Sequence, residues 1–125
     1  MFKNFKGTVI TEDQALLALK LLKVGFETGL FQKSFEYAMD KQNVDSYTRE
    51  QLNDLVQEAT SRLEMFNNDD DFSEELWYEI DNINKKMYDI FGLTEEEYYA
   101  IGVEYAQSNP ELAVETAIKQ FELIN

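Results

Sequence analysis

Apolar residues between Leu52 and Phe66 recur at spacings of three and four positions. In a helix of 3.6 residues per turn, this spacing places them in one stripe along one face. A second stripe of the same kind runs from Leu76 to Phe91. Five glycines and one proline in 125 residues leave few turn formers for a fold of many strands. The sequence therefore predicts an all-α protein.

Helix start signals divide the chain into five or six segments. In a capping box, a Ser or Thr side chain accepts a hydrogen bond from the third helical N–H, and Glu or Gln at that third position bonds back. Sequences of this form begin at Thr11, Thr48 and Thr94, and Ser73 is placed to cap a further helix. Pro110 suits the first position of a last helix.

The segment after Thr11 is apolar on nearly every side, which is typical of a buried central helix. Gly25 and Gly29 leave two alternatives for its end. The chain either breaks there and starts a second helix from Leu30 to about Lys41, or it continues as one long helix. A glycine inside a helix costs about 1 kcal/mol relative to alanine, so the break is favoured.

The two ends of the chain carry weaker patterns. The first ten residues form a short strand or an extended arm that packs Phe2 and Phe5 on the body. The last helix is expected to bury one apolar row. Residues 1–125 are thus predicted to form a single helical domain, a compact bundle of five to six helices. The row expected to be buried in the last helix consists of Ala113, Val114, Ala117, Phe121 and Ile124.

Net charge is the strongest compositional feature. The formal charge is −14, with +1 in residues 1–41 and −15 in residues 42–125. Such an excess speeds association with cationic partners. It disfavours direct binding to nucleic acid or anionic membranes, because both require Lys and Arg. With no apolar run of membrane-spanning length and no signal peptide, the expected location is the cytoplasm.

The chain lacks the residues that several kinds of active site require. The chain has no His and no Cys, so the usual nucleophile triads and zinc sites cannot form. No glycine-rich phosphate loop occurs. The segment 67–79 is rich in oxygen ligands, but no register combines the glycine and final acid of an EF-hand loop. We therefore expect no enzyme activity, no cofactor and no metal, with a carboxylate-only catalyst or divalent-cation binder as the alternative.

The arrangement of acids is the positive signal. Glu50, Asp54 and Glu58 lie four positions apart, which in a helix gives a row with a spacing of about 6 Å. This is comparable to the separation of neighbouring phosphates along a nucleic-acid strand. Like charges at this spacing destabilise a helix by a few tenths of a kcal/mol, which suggests that something compensates the cost. Further acids extend the pattern at Asp69, Asp70, Asp71, Glu75 and Glu79.

These observations predict a non-enzymatic inhibitor or decoy. It would bind the basic nucleic-acid-binding surface of a partner protein, a nuclease or effector complex, through these eight carboxylates. In size and charge the chain resembles small acidic anti-defence proteins of phages and mobile elements, of the anti-CRISPR and anti-restriction types, although no motif is shared. The alternatives are an immunity protein or antitoxin against a basic toxin nuclease, and a structural or regulatory homo-oligomer, such as a homodimer through the Leu-rich first helix or through exposed Tyr.

Overall fold

A computed structural model describes residues 1–4 and 7–124, and within them the chain forms a bundle of six α-helices. A short antiparallel pair of strands precedes the helices, with Phe2 opposite Ile10. This confirms the all-α bundle and the N-terminal strand, whereas Phe5 lies outside the described residues. The elements are β1 (Phe2–Lys3), β2 (Val9–Ile10), α1 (Glu12–Glu27), α2 (Leu30–Lys41), α3 (Ser46–Met65), a 3₁₀ turn (Asp69–Asp71), α4 (Glu74–Phe91), α5 (Glu95–Ser108) and α6 (Pro110–Ile124).

Local signals fix most helix ends. Thr11 and Thr94 form the predicted capping boxes of α1 and α5. The hydroxyl of Ser73 accepts a hydrogen bond from the backbone N–H of Leu76 at 3.0 Å and caps α4. Gly92 ends α4 in the left-handed region, with φ 68°. These predictions are confirmed because caps depend on residues only three or four positions apart.

The predicted start of α3 is wrong by three residues. The cap is Asp45, whose Oδ1 accepts the backbone N–H of Thr48 at 2.7 Å. Thr48 is therefore the third helical residue rather than the cap. The carboxylate of Asp45 is also the stronger acceptor, because a charged acceptor forms a stronger hydrogen bond than a neutral hydroxyl.

The break between α1 and α2 is confirmed, and the two glycines differ in their roles. Gly29 lies between the helices with φ 85°, a conformation that favours glycine. Gly25 lies buried inside α1, where the ring of Phe31 approaches to 2.1 Å from the place a Cβ would occupy. The tight turn thus folds Phe31 back onto α1.

Helix α1 forms the middle of the bundle. Its residues Ala15 and Leu19 pack with Leu63 of α3 and Ile80 of α4 in one of the two core clusters. On its other side α1 contacts α6, where the carbonyl oxygen of Leu21 accepts the side-chain N–H of Gln120 at 2.9 Å. Positions 15 and 19 lie on nearly the opposite face of a helix from position 21. Helices α3 and α4 therefore lie on one side of α1 and α6 on the other.

Helix α6 docks with a different face from the one predicted. Val114, Phe121 and Ile124 are exposed, whereas Thr116 is 1% exposed. The hydroxyls of Thr116 and Thr28 are hydrogen-bonded at 2.7 Å. Periodicity finds the apolar row of this helix correctly. It fails to identify the docking face, because that face is chosen by partners on α1 some 90 residues earlier in the chain.

Candidate protein-binding surface

The outward face of α3 carries four carboxylates, the first three of which form a row. The opposite face of the helix is buried through Leu52, Val56, Ala59 and Leu63, which directs the predicted row away from the core. Helical geometry adds a fourth acid to that outward face, which the sequence reasoning missed although the period of 3.6 residues indicates it. We call this exposed surface the acidic strip; it consists of Glu50, Asp54, Glu58 and Glu64.

Both arginines of α3 form ion pairs with acids of neighbouring helices. Arg49 points to α2, where its Nη2 lies 2.8 Å from Oδ1 of Asp40. Arg62 points to α4, where its Nε lies 2.9 Å from Oε2 of Glu79. In residues 1–4 and 7–124, no Lys or Arg nitrogen lies within 4 Å of a carboxylate oxygen of the strip. The four carboxylates of the strip are therefore without an ion-pair partner in the described part of the chain.

A shallow groove between α3 and α4 borders the strip. Asp54 lines it from α3, and Lys86 and Asp89 line it from α4. The two helices are antiparallel neighbours, since Leu52 packs near Met87 in one cluster and Leu63 near Ile80 in the other. This pairing brings Asp89 to the strip, and no spacing within one helix could have shown it. Lys86 is the one base in the groove lining.

Three of the predicted contact residues are already occupied by the protein itself. Asp69 Oδ1 lies 2.7 Å from Nζ of Lys20, and Glu79 binds Arg62. Asp71 Oδ2 accepts the backbone N–H of Asn67 at 2.9 Å, which stabilises the 3₁₀ turn. These side chains have structural partners, so they contribute less to an open acidic surface than the sequence alone suggests.

Asp70 and Glu75 are exposed, and neither forms an ion pair in the described part of the chain. Because α3 and α4 are antiparallel, both residues lie near the end of α3 that carries Glu64. The structure places Glu50, Asp54 and Glu58 on the outward face of α3, and Asp70 and Glu75 follow the C-terminal end of that helix in the chain.

Two further acids outside the strip do form ion pairs with the protein's own lysines. Glu104 on α5 accepts the hydroxyl of Tyr37 at 2.6 Å and contacts the ammonium of Lys41. The hydrogen bond from Lys41 is the main reason that the pKa of Glu104 lies below its ordinary value, and the bond from Tyr37 lowers that pKa further. Asp81 is 4% exposed, with one oxygen 2.9 Å from Lys85 Nζ and the other without a hydrogen bond among the described atoms.

Comparisons with protein-family models, curated proteins and solved structures found no match to this chain. Within the described residues, no group of three or more potential ligating side chains is arranged to hold a metal ion. Nor is any helix in that part of the chain both long and apolar enough to cross a bilayer.

Proposed function

We propose that this protein binds a basic, nucleic-acid-binding surface of a partner protein and blocks it by presenting carboxylates in place of phosphates. The acidic strip on α3 supplies the contact. Its first three carboxylates repeat at about 6 Å along the helix axis, and a groove that binds nucleic acid carries Lys and Arg to meet such a row of charges.

One observation supports this proposal above the others. Both arginines of α3 are bound by acids of neighbouring helices, Arg49 by Asp40 and Arg62 by Glu79. Arg62 lies four positions after Glu58, yet its guanidinium donates to the backbone carbonyl oxygen of Glu58 and pairs with Glu79, so the carboxylate of Glu58 is not its ion-pair partner. The strip, which has no ion-pair partner in the described residues, is what a cationic partner would neutralise.

The charge also predicts how binding would behave. Long-range attraction between a strongly acidic chain and a basic groove accelerates encounter, and salt screens it over a Debye length of about 8 Å at physiological ionic strength. An inhibitor of an enzyme that scans nucleic acid benefits from fast association. More specifically, we propose that the protein helps a phage or mobile element to evade the defences of its host.

Affinity capture with matched variants tests the proposal. The strip variant combines Glu50→Gln, Asp54→Asn and Glu58→Gln, and the control variant removes the same number of charges through Glu12→Gln, Asp13→Asn and Glu36→Gln. The wild-type protein and the control are expected to retain the same basic nucleic-acid-binding proteins at low salt and to release them as salt rises. The strip variant is expected to lose them. Equal capture by all three proteins would contradict the proposal.

A further inference from the structure

Helix α6 presents its apolar side to solvent and its more polar side to the protein. Thr116 and Gln120 attach it to α1 through hydrogen bonds to Thr28 and to the backbone of Leu21. The opposite side exposes Val114 and Ile118, each 56% accessible. A surface helix normally has the reverse arrangement, with its apolar stripe toward the core.

The exposed apolar positions form one continuous surface. Val114, Ala117, Ile118 and Phe121 line a shallow groove together. They follow the spacing of three and four positions, so they share one side of the helix. We call this surface the outer face of α6. A contiguous apolar surface on an otherwise strongly charged protein indicates an interaction site.

Acids border the outer face along one edge. Glu111, Glu115 and Glu122 line a second groove with Val114 and Ile118. Lys119 lies on the same edge, with its Nζ 3.5 Å from Oε1 of Glu115. Within the described residues Glu111 and Glu122 have no ion pair. The edge therefore keeps a net negative charge beside the apolar surface.

We infer that the outer face of α6 is a docking site for an amphipathic helix of a partner protein, with apolar side chains along its centre and Lys or Arg along one edge. The apolar centre fits the groove lined by Val114 and Ile118, and the cationic edge meets Glu111 and Glu122. Helix-in-groove binding uses apolar side chains spaced three and four positions apart, and the outer face of α6 has this spacing.

A second copy of this chain fits the site less well. In an antiparallel pair of identical helices related by a twofold axis, the same edge of each helix meets its counterpart. The acids of one copy would then face the acids of the other. Each copy also carries a formal charge of −14, which opposes self-association. Charge complementarity therefore favours a cationic helix as the occupant.

The docking site is separate from the acidic strip. Helix α1 lies between α3 and α6, so the two surfaces face different sides of the molecule. The inference therefore does not depend on the function proposed for the strip, and each can be tested with the other left intact.

Binding of designed peptides tests the inference. The probe is a fluorescein-labelled peptide of leucine and lysine, with leucines at the a and d positions of successive heptads. A second peptide has the same composition with leucines permuted so that no apolar face forms. By fluorescence anisotropy, the amphipathic peptide is expected to bind the wild-type protein more tightly than the permuted peptide.

Variants locate the binding. The double variant Val114→Ser with Ile118→Ser is expected to bind the amphipathic peptide at least about tenfold more weakly. The double variant Glu111→Lys with Glu122→Lys is also expected to bind it more weakly. Val9→Ser, which changes another exposed valine, should leave its affinity unchanged. The strip variant should change it no more than the charge-matched control variant (Glu12→Gln, Asp13→Asn and Glu36→Gln) does. All variants should retain wild-type helicity by circular dichroism, because the altered side chains point outward.

Two results would overturn the inference. In the first, the strip variant loses the peptide while the α6 variants keep it, which would assign the binding to charge on α3. In the second, sedimentation equilibrium shows a wild-type dimer that Val114→Ser with Ile118→Ser dissociates, which would make a second copy the occupant.

Discussion

At the residue scale, the contact between Gly25 and Phe31 shows how one missing side chain shapes the bundle. The ring of Phe31 occupies the space where a Cβ on Gly25 would lie, and its edge also meets the ring of Phe26, with centroids 5.8 Å apart. Sequence reasoning correctly found that the two glycines accompany a break. It could not show that Gly25 provides room for a ring, because that depends on how sharply the chain turns at Gly29.

Alanine substitutions at two helical glycines should have opposite effects on stability. Gly25→Ala is expected to lower the free energy of unfolding by about 1–2 kcal/mol, because forcing Phe31 aside outweighs the better helix propensity. Gly102→Ala, where a Cβ would meet only the hydroxyl of Ser34 at 3.4 Å, is expected to raise it by up to about 1 kcal/mol. Urea unfolding measures both, and a stabilising Gly25→Ala would contradict this packing.

At the element scale, helix ends are the best-predicted features and docking faces the worst. The caps at Thr11, Ser73 and Thr94 involve neighbours in sequence, so local rules identify them. The start of α3 was misassigned because Asp45 and Thr48 both have capping side chains at suitable positions. The orientation of α6 was misassigned because Thr28, which is distant in sequence, holds its polar side.

The cap of α3 should make stability depend on pH in the acid range. The hydrogen bond that Asp45 accepts from the backbone N–H of Thr48 holds the pKa of its carboxyl below the ordinary value. Because this pKa is lower in the folded state, the carboxylate stabilises the folded protein at pH values above the ordinary pKa. That stabilisation is lost as the pH falls through the lowered pKa.

Asp45→Ala is therefore expected to destabilise the protein at neutral pH more than Thr48→Ala does. The difference between Asp45→Ala and the wild type should shrink as pH drops below the ordinary pKa of aspartate. Urea midpoints over a pH series provide the measurement. If Thr48→Ala has the larger effect at neutral pH, Thr48 is the cap after all.

At the scale of the whole molecule, the excess negative charge is not spread uniformly. Lys20 and Arg62 neutralise Asp69 and Glu79, whereas the acidic strip has no such partner in the described residues. The spacing of Glu50, Asp54 and Glu58 was readable from the sequence, because it requires only a helix and its buried face. The sequence could not show which acids stay unpaired, because that depends on bases from other helices.

Competition with nucleic acid tests directly whether the acidic strip takes the place of phosphates. With a partner obtained by affinity capture, labelled nucleic acid is bound first and the protein is then added in increasing amounts. We expect the wild-type protein to displace the nucleic acid and the strip variant to fail to do so. A ternary complex, in which the partner holds nucleic acid and this protein together, would contradict it.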